Sequence, residues 1–126
     1  MKFYNKKIQK ICYNKDMKAL IIKKPWIDYI LEGKKTWEIR GSKTNIRGKI
    51  ELIQSGSGLV VGSCNIVDCK EITLEEYSNN KDKHKITNIT TLPYKRTYAW
   101  VIADAKRYET LRKYKHPQGA IIWVNL

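Results

Sequence analysis

The apolar residues of this chain fall into six short runs, and no other feature of the sequence limits the fold more. The runs are rich in β-branched and aromatic residues and begin near Lys18, Lys35, Arg47, Gly58, Thr97 and Ala120. Apolar runs of this length, bounded by turn-forming residues, predict β-strands. Because the strands do not alternate regularly with helices, a Rossmann-like arrangement is excluded. Short strands in a chain of 126 residues predict a small closed β-barrel, since closure removes exposed sheet edges.

Two helical segments interrupt the predicted strands. Pro25 opens the first, apolar residues recur after it at helical spacing, and Gly33 stands where a left-handed cap would end it. The second begins at Thr73, where T-L-E-E is typical of a capping box, and runs to about Asn79. Residues 80–92 are polar and predict a loop that can hold a further short helix. We therefore expect an α+β fold of five to six strands with two or three short flanking helices.

The chain is strongly basic, with 25 Lys and Arg residues against 12 Asp and Glu and a formal net charge of +13. Such a surface attracts polyanions, which makes RNA, DNA or an anionic membrane the possible partners. Lysine greatly outnumbers arginine, so a merely solvated lysine-rich surface remains an alternative. One cluster occupies the N-terminal part of the chain, and a second consists of Lys106, Arg107, Arg112, Lys113 and Lys115.

Length and composition predict one domain over residues 17–126, preceded by a basic extension over residues 1–16. An odd number of cysteines, two histidines and no C-x-x-C element argue against a disulfide framework or a structural zinc site. We expect no metal and no cofactor. No apolar run reaches the roughly 18 residues that a membrane span needs, so we expect a cytoplasmic protein without a membrane partner.

The segment from Pro25 to Arg40 carries a specific pattern. Gly33, Lys35, Glu38 and Arg40 fit G-x-K-x-x-E-x-R at a helix-to-strand junction. The chain from about residue 17 to residue 126 thereby resembles the ASCH domain family. The resemblance implies a PUA-like β-barrel with a cleft between barrel and helices where RNA or a nucleotide lies. Members include RNA-binding modules, ribonucleases and hydrolases of N4-acetylcytidine.

The motif residues suit either binding or catalysis. Strict alternation places Glu38 and Arg40 on one strand face, where they can pair, and Lys35 precedes the strand closely enough to reach the same cleft. Lys35 can bind phosphate or, if desolvated, act as base or nucleophile, and Glu38 can act as a general base. An ordinary surface ion pair is the alternative. In the amidohydrolase branch a threonine stands at the position of Glu38, which weakens that assignment, and Thr36 does not align with it.

Other residues are predicted to contact nucleic acid. Tyr98 and Trp100 share one strand face and could stack on unpaired bases, although core packing is the alternative for both. Lys24 and Lys43 complete the predicted contacts. His84 and His116 fall in predicted loops, and we expect both to be exposed to solvent rather than catalytic.

Three functions fit these observations. The leading hypothesis is an RNA- or nucleotide-binding module that uses Lys35, Glu38 and Arg40. The second is a metal-independent hydrolase acting on RNA or on an acylated nucleoside, with Lys35 and Glu38 as catalytic residues. The third is a protein-interaction domain whose cleft takes an acidic segment of a partner.

Overall fold

Long-range strand pairing organises the chain, whose computed structural model describes residues 17–126. The predicted basic extension over residues 1–16 lies outside the described residues. The strands are β1 (Lys18–Ile22), β2 (Trp37–Arg40), β3 (Gly48–Gln54), β4 (Leu59–Glu71), β5 (Tyr98–Lys113) and β6 (Trp123–Asn125). The helices are α1 (Trp26–Leu31), α2 (Leu74–Asn79) and α3 (Lys81–His84). The α+β class and the predicted numbers of strands and helices are thereby confirmed for the described part of the chain.

The strands form a single sheet in the order β2-β5-β4-β3-β1-β6. Strands β1 and β3 run parallel, and every other neighbouring pair is antiparallel. Hydrogen-bonded strands lie about 4.8 Å apart, so a flat sheet would separate β2 from β1 by roughly 19 Å. Instead, Nη2 of Arg40 in β2 lies 3.1 Å from the backbone oxygen of Ile21 in β1. The sheet must therefore curl strongly on itself.

The prediction of a closed barrel is not confirmed. Strands β2 and β6 stand at the two ends of the sheet order, and within residues 17–126 no backbone ladder joins them. The curl nevertheless brings distant strands together, because the rings of Trp100 in β5 and Trp123 in β6 stack with centroids 5.8 Å apart. The fold is an open, curled half-barrel in which side chains rather than strand pairing bridge part of the gap.

The main core fills the concave side of the sheet and is covered by α1. Ile50 and Leu52 of β3 point into it, together with Ile27 and Ile30 of α1. The alternate residue Glu51 points to the opposite face, as the period of a strand requires. A second core lies under β2 and α2 and contains Trp37, Ile39, Ile72, Tyr77 and Ala99.

Local sequence signals place the helices near the motif. Helix α1 begins one residue later than predicted, with Pro25 at the N-cap position, and Gly33 follows it with a φ of +79°. Thr73 caps α2, and both hydrogen bonds of the predicted capping box to Glu76 are present. The polar segment after α2 holds α3, the further short helix that the sequence allowed.

The last two strands differ from the prediction. Strand β5 is 16 residues long and continues far beyond the predicted T-Y-A-W-V-I-A-D segment, because β4 supplies a partner along most of its length. Strand β6 is only three residues long, and the predicted strand residues from Ala120 to Ile122 precede it. Ile121 is consequently 78% exposed rather than buried in a strand.

Candidate functional site

The motif residues Lys35, Glu38 and Arg40 lie together at a place where the curl of the sheet turns β2 towards β1. Between these strands is a cleft of about 320 Å³. Its lining includes Lys23, Lys35, Glu38 and Arg40, so three basic side chains and one acidic side chain face it. The cleft is near the lower end of the range of about 300–1,000 Å³ that is usual for ligand pockets.

Lys35 is almost completely buried at 2% exposure and lies two residues before β2. Its Nζ donates to the backbone oxygen of His84 at 2.7 Å, lies 3.7 Å from Oε1 of Glu38 and stands 5.2 Å from the ring centre of Trp26. Burial lowers the pKa of Lys35 to about 8, against the opposing attraction of Glu38. Lys35 therefore lines the cleft, as its position just before the motif strand allows.

Glu38 and Arg40 form the ion pair that their spacing predicts. Nε of Arg40 donates to Oε2 of Glu38 at 2.8 Å, and the glutamate is only 6% exposed. A second Arg40 nitrogen donates to the backbone of β1, which fixes the guanidinium from both sides of the cleft. Because Oε2 is bound to Arg40, Oε1 is the glutamate oxygen that stands nearest to Lys35. The three charges thus form one connected, largely desolvated group, here called the cleft cluster.

The backbone oxygen of His84 accepts the hydrogen bond from Lys35 of this cluster. The sequence predicted an exposed loop residue at this position, and the structure differs. The side chain is fully buried and stacks on Tyr77 with ring centroids 4.4 Å apart. Its Nε2–H donates to the backbone oxygen of Tyr77, and its Nδ1 accepts from the backbone N–H of Ile86. Burial lowers the pKa of His84, so a neutral ring is held in place. The prediction of exposure was wrong because α3 packs this residue against α2.

Sequence reasoning missed the aromatic residues at the rim. Trp26 and Tyr94 both line the cleft, and Tyr94 is 45% exposed. Trp26 belongs to the apolar helical pattern of α1, which is typical of buried residues, and Tyr94 lies in an irregular segment before β5. An aromatic residue in a loop, outside any strand or helix pattern, was the signal that could have found Tyr94.

The comparison with protein families decides the affiliation of this chain. The ASCH domain model matches residues 20–112. The chain belongs to the ASCH domain family. The motif residues Gly33, Lys35, Glu38 and Arg40 all lie within the matched part, which confirms the resemblance drawn from them.

Solved structures with the same fold come from Zymomonas mobilis. A Tyr-to-Phe variant of its ASCH protein has a TM-score of 0.69 and 12% identity, covering 88% of this chain and 90% of that chain. A Ser-to-Ala variant has a TM-score of 0.65 and 13% identity, covering 90% and 89%. The ASCH protein itself has a TM-score of 0.60 and 12% identity, covering 80% and 89%. At these identities the likeness shows the shared fold. No curated protein matches the chain.

The remaining predicted contacts of this ASCH domain lie elsewhere. Tyr98 and Trp100 are buried in the main core, and Nε1 of Trp100 donates to the backbone oxygen of Ser42, so neither ring is available for base stacking in this structure. Lys24 is exposed and lies 3.6 Å from Asp28, and Lys43 is exposed on the surface. The second basic cluster follows the outer half of β5 and the segment after it. His116 is exposed, as expected.

Two further observations concern metals and membranes. Within residues 17–126, the ASCH domain has no group of three or more His, Cys, Asp or Glu side chains arranged to hold a metal ion. In the same part of the chain, none of the helices has the length and apolar character needed to cross a bilayer.

Proposed function

We propose that this ASCH domain binds RNA in the cytoplasm and holds one nucleotide in the cleft between β1 and β2. One observation carries the proposal: on a cleft of about 320 Å³, the buried Glu38 pairs with both the buried Lys35 and the partly buried Arg40. Taking such charges largely out of water is costly unless they are held by good hydrogen bonds. A cluster that also faces a cavity is suited to bind a polar ligand of similar size.

The cleft cluster offers complementary groups to a nucleotide. Oε1 of Glu38 can accept a hydrogen bond from an exocyclic base amine, as a carboxylate does from cytosine N4. Arg40 is already oriented by Glu38 and by the Ile21 carbonyl, so little side-chain entropy is lost when it donates to a base or phosphate. Trp26 and Tyr94 at the rim provide rings for base stacking, which contributes about 1–3 kcal/mol per base.

The charge of the chain supports the same proposal. A net charge of +13 attracts a phosphate backbone from a distance, and Lys23 places one exposed cation in the cleft lining itself. Affinity for single-stranded RNA should then fall with salt, by about 0.7 in log affinity per log salt for each phosphate neutralised. A purely base-directed or apolar contact would show no such slope.

Fluorescence anisotropy with a labelled single-stranded RNA over a salt series tests this proposal. Arg40→Gln should weaken binding roughly tenfold or more, because it removes a charged donor from the cleft. Lys49→Gln is the matched control, since it removes the same formal charge from an exposed position of β3. Absence of a salt slope, or equal losses in the two variants, would contradict a specific role of the cleft.

A second function is favoured by the state of Lys35. With its pKa lowered to about 8, roughly one lysine in ten is neutral at pH 7 and can take up a proton. Glu38 lies 3.7 Å away and could share a proton with it. The alternative is therefore a metal-independent hydrolase that cleaves RNA or removes an acyl group from a nucleoside.

Mass spectrometry of a short RNA containing N4-acetylcytidine separates the two functions. Strand cleavage or loss of the acetyl group that disappears in Lys35→Ala and persists in Lys34→Ala would identify an enzyme and its reaction. Lys34 is the control because it is an exposed neighbour of the same residue type. An intact RNA that the protein still retains at low salt would support binding without these reactions. Retention of an acidic protein after nuclease treatment would instead favour a protein-interaction domain.

A further inference from the structure

A second hollow, which none of the motif residues lines, lies next to the cleft. This hollow is about 610 Å³ in volume and lies beside the turn between β3 and β4. Four residues line both spaces: Ile21, Lys23, Ser55 and Ile121. Because the same residues line both spaces, the two spaces are adjacent, and a ligand longer than a single nucleotide can extend from one towards the other.

We propose that the second hollow is a subsite for the neighbouring nucleotide of the same RNA strand, formed by Tyr114 and His116. This inference rests on the proposed RNA binding and specifies its ligand as a strand of at least two nucleotides. The shared wall contains the exposed cation Lys23, which is where the phosphodiester linking the two nucleotides would pass. The exposed side chain of Ile121 beside it gives an apolar surface for a sugar or a base face.

Tyr114 and His116 are held in place before any ligand binds. The Tyr114 hydroxyl donates to Nδ1 of His116 at 2.6 Å, and Nε2–H of His116 donates to the backbone oxygen of Ala120 at 2.8 Å. The two rings meet edge to face with centroids 5.6 Å apart. An aromatic pair that is already ordered loses little conformational entropy on binding a base. The pair therefore suits the stacking role that buried Tyr98 and Trp100 cannot fill.

The glycine turn that lines the hollow leaves room for an RNA strand. Gly56 and Gly58 have φ values of +81° and +72° in the turn between β3 and β4, and the space beside each α-carbon is open. Among the described residues that line this hollow, none is acidic. The site thus combines an open backbone wall, one cation and two aromatic rings, which fits an anionic ligand with a flat base.

The test compares randomised-sequence RNA pools of one, two and four nucleotides, each carrying the same fluorescent label, by anisotropy at low salt and pH 8. The wild-type domain should bind dinucleotides at least tenfold more tightly than mononucleotides. Tyr114→Leu and His116→Ala should each remove most of this gain in dinucleotide affinity and leave mononucleotide affinity unchanged. Tyr114→Leu replaces an uncharged ring by an uncharged aliphatic side chain, so the additional phosphate alone cannot explain a loss in this variant.

Gln118→Ala is the matched control, because Gln118 is exposed in the same turn and does not line the hollow. Circular dichroism melts establish that each variant is folded. If His116→Ala unfolds, Tyr114→Leu still carries the test, because leucine keeps an apolar side chain at that position. Unchanged dinucleotide affinity in folded Tyr114→Leu, or equal affinity of the wild type for one and two nucleotides, overturns the second subsite while RNA binding stands. Failure of every pool to bind overturns the proposed function itself.

Discussion

Two charge clusters, each built around a buried glutamate, lie on opposite faces of the sheet, and they differ in what that glutamate contacts. The cleft cluster holds Glu38 between Arg40 and the desolvated Lys35, beside an open cavity. The outer cluster consists of Glu51, Tyr108 and Arg112. In it the Tyr108 hydroxyl donates to Oε1 of Glu51 at 2.8 Å, and Arg112 lies 3.8 Å from the same oxygen. A buried carboxylate therefore does not by itself mark a functional site.

The difference lies in the partner groups and in access. Glu51 is 2% exposed and is covered by the long outer half of β5, whose neutral hydroxyl and arginine satisfy it. In the cleft cluster, burial instead acts on a lysine, whose pKa is lowered because its charge is incompletely compensated. The outer cluster thus stabilises strand packing, and the cleft cluster retains chemistry for a ligand.

The largest expected effect concerns the pH dependence of stability at Lys35. Its pKa is about 8 in the folded chain, against an ordinary value of 10.5. Between these values the unfolded chain holds a proton that the folded chain has released, so the free energy of unfolding rises with pH in this window. Relative to Lys35→Met, the wild type should gain about 3 kcal/mol from pH 8 to pH 10.5.

Urea unfolding of both proteins across this pH range measures that gain. Lys34→Met provides the control, since it replaces an exposed lysine and its difference from the wild type should stay flat. If the difference between the wild type and Lys35→Met also stayed flat, the lysine would be fully compensated in the folded state. The contrast with the outer cluster would then disappear.

An intermediate effect separates the two clusters by their functions. Tyr108→Phe removes a hydrogen bond to a buried carboxylate and should lower the free energy of unfolding by about 1.5 kcal/mol. RNA affinity should not change, because the altered hydroxyl lies on the face away from the cleft. Chemical unfolding and anisotropy on the same preparation check both statements. A loss of RNA affinity in the folded variant would show that the outer cluster also affects binding.

The smallest expected effect is at the rim of the cleft. A β-carbon added at Gly41 would collide with the ring of Tyr94, although the backbone there does not need glycine. Gly41→Ala should displace that ring, with a loss of RNA affinity of roughly threefold and a stability change within about 0.5 kcal/mol. Tyr94→Leu should act in the same direction and lose about tenfold. Wild-type affinity in both variants would remove Tyr94 from the binding surface.

The sequence by itself determined the elements whose hydrogen bonds are local. The capping box at Thr73 and the left-handed Gly33 just after α1 each depend on residues a few positions apart, so their patterns are readable in the chain. The motif likewise identified the residues of the cleft cluster and the family. These predictions agree with the structure because near neighbours alone satisfy them.

Tertiary structure alone decided which side chains are buried and which face a ligand. The contact of Arg40 with Ile21, the burial of His84 and the position of Tyr94 at the rim join segments far apart in sequence. Tyr98 and Trp100 alternate as an exposed stacking surface would, and the curl of the sheet turns that face into the core. A strand has two faces of equal period, so only the packing of the whole sheet determines which face meets solvent.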